Sequence, residues 1–338
     1  MGKYNYITVV SRFKFYNVRF QKLLLFGDNE GQQLDITAGD SNEWGKPSIL
    51  NMDSSETYPL PARIEFRWIT TTENYCFEIS ESLDQAKAEE LWSKQQKEFP
   101  DDLFKQYIVG IAPYGGVAIW LCSNNRSVLV QWLQAEEQSL TEEESLIYTR
   151  HPEREKLVNM LMPSEKLQSF MRQHLYRLVP MEEYFDEGKW KRFDSTNIHY
   201  EGIALDSVEV DRFDGTFDHS GSEAVMRYHV AGKPKKIIVN WHEGKDLFFA
   251  QFKLDETMVI AFFDGFFDAF PDAKADLLIR IDTRAKRFEI AMTGEGLAVI
   301  PIKYTQYIVY KGKEEFCRSE NYIEDPIFDD EDDDEDDE

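Results

Sequence analysis

The chain has 338 residues, 42% hydrophobic and 14% aromatic, which is enough apolar matter for about two domains, each with a core of its own. Lys and Arg number 38 against 63 Asp and Glu, a formal net charge of -25 that would still be -15 without the ten acidic residues 329–338. Such a balance works against nucleic-acid or anionic-membrane partners and favours basic proteins.

Three cysteines, Cys76, Cys122 and Cys317, show no metal-ligand spacing and fit a reducing compartment rather than a disulfide framework. No apolar run approaches the roughly 18 residues that a membrane span needs. The start, Met1-Gly2-Lys3-Tyr4-Asn5-Tyr6, carries no apolar signal region, so a cytoplasmic protein is expected.

In chain order, Tyr4 to Phe26 reads as strand-like. Arg63 to Trp68 and Tyr75 to Ile79 alternate apolar and polar residues around a turn, which predicts a hairpin. Ser82, with Gln85 three residues on, predicts a capped helix whose stripe is Leu83, Ala88, Leu91, Trp92 and Phe99, ended by Pro100. Strands follow over 106–112, 115–122 and 126–135. Thr141 and Glu144 form a capping box for a helix through Met162, and a second helix starts at Ser164; the crossing from Pro180 to Asp194 is irregular. Ile203 to Phe217 is again strand-like. Asp255 caps a helix with an apolar stripe that includes Met258, Phe262, Phe266 and Phe270, and strands are predicted over 276–282, 287–292 and 297–310. The run after Phe328 is a disordered acidic tail on composition.

Much of this order occurs twice. Leu83-Asp84, Leu91-Trp92 and Phe99-Pro100-Asp101 recur as Leu254-Asp255, Phe262-Phe263 and Phe270-Pro271-Asp272, all at an offset of 171 residues. Ile108 then falls on Ile279 and Ile119 on Ile290, while Ile64 to Trp68 falls on Ile237 to Trp241 at an offset of 173. The expected fold is therefore α+β: two similar domains, each a mostly antiparallel sheet with one helix packed on it, joined by a helical connector. The boundaries are 1–138 for the first repeat, 139–195 for the connector, 196–316 for the second repeat and 317–338 for the tail.

No phosphate-cradling, dinucleotide-binding, nucleophile-elbow or zincin motif is present. His199, His219 and His229 could converge across strands, but surface histidines explain them as well. Cys122 has no identifiable base beside it and reads as a core thiol. Trp68 and Trp241 hold equivalent places and read as structural. The stretches 27–31 and 213–218 read as hairpin turns. No cofactor, no metal and no catalytic residue is expected, and the chain is not expected to be an enzyme.

The run Leu60-Pro-Ala-Arg-Ile-Glu-Phe-Arg-Trp68, then Phe77, the Leu83-Asp84 helix and Tyr107-Ile-Val-Gly-Ile-Ala-Pro-Tyr-Gly-Gly-Val-Ala-Ile-Trp120, resembles a bacterial family of uncharacterised domains. Many members are encoded beside secreted antibacterial toxins, including those of type VI and other contact-dependent systems, and are regarded as immunity proteins. The match covers about residues 58–132. The second copy keeps the tryptophan and the helix but has Arg280-Ile-Asp-Thr-Arg284 in place of the Gly-x-Ala-Pro turn. Many relatives look exported, whereas this chain shows no export signal. The family pattern holds no catalytic set.

What the resemblance implies is a cytoplasmic immunity protein that neutralises a cognate secreted toxin, such as a basic nuclease domain, through a stoichiometric interface. Acids expected at the surface of the second copy's leader, Asp211, Asp214, Asp218 and Glu223, are the candidate partner contacts. The alternative is an acidic chaperone or nucleic-acid mimic that binds basic proteins through its tail. No nucleic-acid or membrane partner is expected.

Overall fold

The computed structural model of the chain describes residues 2–12, 18–27, 33–34, 38–41, 44–47, 57–70, 75–112, 115–141, 190–191, 203–221, 232–283, 286–294 and 296–324. Among them the fold is α+β and dominated by sheet, with two helices, α1 (Gln85–Glu98) and α2 (Glu256–Ala269). The connector helices expected over 141–162, apart from Thr141 itself, and from Ser164, the turn residues 28–31 and the tail from 325 lie outside the described residues.

In the first half β1 (Ile7–Arg12), β4 (Ala38–Ser41), β7 (Gln106–Ala112), β8 (Gly116–Cys122) and β9 (Ser127–Gln134) form one sheet in the order β4-β1-β7-β8-β9. A second sheet, β10-β6-β5-β2-β3, is built from β2 (Val18–Phe26), β3 (Gln33–Leu34), β5 (Arg63–Thr70), β6 (Tyr75–Ser82) and β10 (Glu136–Gln138). In the second half β11 (Trp190–Lys191), β16 (Ala275–Asp282), β17 (Arg287–Gly294) and β18 (Ile300–Pro301) lie side by side in that order. The remaining sheet is β13-β12-β14-β15-β19-β20, from β12 (Ile203–Arg212), β13 (Phe217–Gly221), β14 (Pro234–Glu243), β15 (Asp246–Lys253), β19 (Gln306–Lys311) and β20 (Glu314–Arg318). β1 runs parallel to β4 and β7, and β11 parallel to β16. The other described pairings are antiparallel.

Each half thus holds two sheets where the sequence pattern suggested one. The core of the first half lies between its sheets, with Phe66, Trp68 and Ile79 on one side and Val109, Ile119 and Leu121 on the other, and Trp92 of α1 closing one end. In the second half the core holds Trp241 and Phe252 with Ile279 and Ile290, and Phe263 and Phe266 of α2. A short alternating strand shows which of its faces is buried but not which sheet it joins, so one sheet and two facing sheets read alike.

The hairpin of β5 and β6 and the strand over 106–112 fall where expected, and β12 and β13 meet through the turn at 213–216. The caps differ in part. Asp255 accepts from Met258 N, as expected, but α1 is capped by Asp84, whose carboxylate accepts from Lys87 N, rather than by Ser82. Ser82 is the last residue of β6 and is still paired with Arg63. The long strand expected over 297–310 is broken into β18 and β19, and β20 carries sheet pairing across the boundary expected at 316.

The equivalence of Ile108 and Ile279 fails by one residue. Val109 faces the main core with its partner Ile119, as Ile279 does with Ile290, whereas Ile108 points to the other side of its sheet. A one-residue shift of register in a strand sends the side chain to the opposite face.

That other side is itself covered. Ile7, Val9, Ile108, Ala118, Trp120 and Cys122 form a second cluster on it, with Phe217 of the second half packed among them. All of β8 is buried for this reason, since its alternate residues enter two different cores.

Candidate functional site

The feature richest in chemistry is the seam where the turn between β12 and β13 docks on the outer side of the first half's β1-β7-β8 sheet. Asp-Gly at 214–215 makes the turn, with Gly215 at φ +81 in the left-handed region, and Arg212 N–H donates to Thr216 O at 2.9 Å. Trp120 Nε1–H reaches Asp214 O at 3.2 Å and Ser127 Oγ accepts from Phe217 N at 3.0 Å. His219 N–H donates to Asn125 O at 2.6 Å. Trp44 stands edge-on to Trp120 at 4.7 Å between centroids. The approach is close enough that a Cβ on Gly45 would lie 2.0 Å from Gly215 O.

Charges follow the same line. Lys46 of the first half bonds Glu209 Oε1 at 2.7 Å and also Asp211, whose other oxygen takes Lys236 Nζ at 3.0 Å. Arg126 of the first half holds Asp218 Oδ1 at 3.1 Å, and buried Arg212 binds its Oδ2 side. Burial opposes the charge on Asp211, yet Lys236 and Lys46 outweigh it and hold the carboxyl below the usual range.

Asp214 behaves in the opposite sense. Its Oδ1 accepts from Thr216 N at 2.9 Å and Thr216 Oγ1 at 2.7 Å, while its Oδ2 is buried with no hydrogen-bond partner among the described residues. Gly232 abuts it so closely that a Cβ there would sit 2.4 Å from Oδ2. Burial raises its pKa despite the nearby Arg212.

The structure therefore corrects the expectation that these acids are exposed. Asp211, Asp214 and Asp218 are 8%, 0% and 6% exposed and fasten one half of the chain to the other. Glu223 lies outside the described residues. The reason is the docking of the hairpin, which turns a polar surface strand into an interface whose partners are more than 160 residues away in the case of Lys46. Contact between these acids and a partner protein would first require the halves to separate.

Of the three weighed histidines, His219 is exposed, and His199 and His229 lie outside the described residues. Cys122 is fully buried with its thiol pKa pushed up by that burial, and it donates to Ser123 O, which suits packing and not nucleophilic attack. Trp68 and Trp241 are both fully buried at matching places, Trp241 stacked on Phe248 at 5.2 Å. Among the described residues no group of three or more His, Cys, Asp and Glu could hold a metal ion, and no helix is long and apolar enough to cross a membrane.

A family model described as a protein of unknown function, DUF2931, matches residues 5–177. The chain belongs to this family. The DUF2931 match takes in both sheets of the first half and α1 and stops before β11, so the whole second half lies beyond it. No curated protein and no solved structure matches the chain at a significant level.

Proposed function

We propose that this DUF2931 protein acts by binding rather than by catalysis, as a cytoplasmic immunity protein that neutralises a cognate antibacterial toxin through a one-to-one interface. The observation that carries the reading is charge: -25 over the chain, with acids in excess even apart from the tail, which favours fast and selective association with a basic toxin domain such as a nuclease. The resemblance to domains encoded beside type VI and other contact-dependent toxins supports it. We further propose that the halves are diverged copies of one domain. In both, the strand before the helix pairs with the strand before it, and a parallel leader strand flanks the strand after the helix, as β1 flanks β7 and β11 flanks β16.

The test is a pull-down with the tagged full chain from its native bacterium, followed by calorimetry on a dominant partner. A one-to-one nanomolar complex with one toxin domain is the expected result. The ten-acid run at 329–338 favours a second reading, an acidic chaperone or nucleic-acid mimic. That reading requires a salt-sensitive spread of basic proteins, lost when the run is deleted.

A further inference from the structure

We propose that the outward face of the six-stranded sheet in the second half, centred on Phe249 and Tyr310, docks a basic protein partner. The proposal rests on the reading above that the chain works by binding a protein, and adds the surface that does it. In β14 and β15, Trp241, Val239, Phe248 and Ala250 enter the core. Alternation therefore puts Ile238, Asn240, Leu247 and Phe249 on the opposite face, joined there by Tyr310 of β19, while Ile308 on the same side is itself buried. Register sets them in rows: Asn240 opposite Phe249 and Phe249 opposite Tyr310, the two rings 6.0 Å apart, with Ile238, Gln251 and Ile308 in the next row.

The same face of the first half is built differently. One residue before buried Trp68 stands Arg67, opposite Glu78 and paired with it at 2.9 Å; one residue before buried Trp241 stands Asn240, opposite Phe249. Glu65, held by Lys22 and by Arg63 at 3.0 Å, has Ile238 in the matching place. Ion pairs keep a sheet face wetted, while half-buried aromatic and aliphatic side chains in their place make a patch of the composition found at the centre of interfaces. Leu247, 45% exposed, extends it.

Charge decides the occupant. At -25 two copies of the chain repel one another, and the last described residues bind at this sheet: Ile323 N–H donates to Gln306 Oε1 at 2.9 Å and Lys253 Nζ to Ile323 O at 3.2 Å. A cationic protein with an apolar contact centre fits both features. The patch is also continuous with the seam, since Lys236, which binds Asp211, is in the same strand and on the same face as Ile238.

The experiment is calorimetry of the full chain with the single dominant partner that the tagged chain captures, purified in an inactive form. Phe249→Ser and Tyr310→Ser are each expected to raise Kd about thirty-fold or more. Leu247→Asp, at a site that tolerates a polar side chain, is expected to weaken binding with an unchanged urea midpoint, and Arg67→Ser on the charged face of the first half should leave Kd within about threefold. Tight binding by folded Leu247→Asp and Phe249→Ser chains would overturn the surface and leave the binding reading intact. Absence of binding by the native chain would overturn both. A dimer in sedimentation that Leu247→Asp dissolves would assign the face to a second copy and overturn the proposal.

Discussion

Asp211 and Asp214 lie three residues apart and titrate in opposite directions, because Lys46 and Lys236 flank one carboxylate while burial dominates the other. A lowered pKa means that the contribution of Asp211 to stability is present above the ordinary carboxylate range and is lost as pH falls through its folded value. Asp211→Asn should therefore cost about 1–3 kcal/mol in urea unfolding at pH 7, a deficit that closes in acid. Asp214 has the reverse sign: the folded state holds its proton more tightly, so stability falls as pH rises from the ordinary carboxylate pKa to the raised one. In Asp214→Asn that decline should disappear from the stability curve measured between about pH 4 and 7. Gly45 and Gly215 probe packing at the same place. Gly45→Ala meets Gly215 O from a left-handed backbone, and about 2–4 kcal/mol of destabilisation is expected by chemical denaturation. Gly312→Ala, at φ +59 but with nothing within 4 Å, should cost only about 1 kcal/mol. The turn at 213–218 was legible from Asp-Gly; its burial was not, because Lys46, Trp120 and Arg126, which meet it, are remote in the chain.

The two helices show how a local signal is read correctly in one place and misread in another. Both begin after Leu-Asp, and in both the aspartate side chain accepts from the backbone N–H three residues on. Asp84→Ala and Asp255→Ala should each lower stability by about 1 kcal/mol, and Ser82→Ala should be close to neutral, as read from thermal or urea unfolding. The serine matched a capping-box spacing, yet the strand pairing of β6 holds it in extended backbone. Strand ends over 106–112 and 275–282 were legible within a residue because Pro, Gly and charged turns bound them. The break between β18 and β19 falls just after Pro301 in a stretch otherwise apolar enough to read as one strand; Tyr304, at φ 62, makes the bend.

At the scale of the molecule, the seam joins the halves through ion pairs, the Trp120 hydrogen bond to Asp214 O and backbone hydrogen bonds. The native chain should unfold in a single urea transition followed by tryptophan fluorescence, and Gly215→Ala, which drives a Cβ to 2.6 Å from Trp120, should split it into two. Composition, hydrophobic period and helix caps are properties of neighbouring residues, and they determined by themselves that the chain is α+β, that it is strongly acidic and that a tryptophan hairpin followed by one helix occurs in each half. Only the tertiary structure decided that the strands of each half divide between two facing sheets, that β8 is buried on both sides, and that Asp211, Asp214 and Asp218 are internal fastenings. Alternation along a strand states that one face is apolar. What covers that face, or which cation lies against an acid on it, depends on segments brought together across the whole length of the chain.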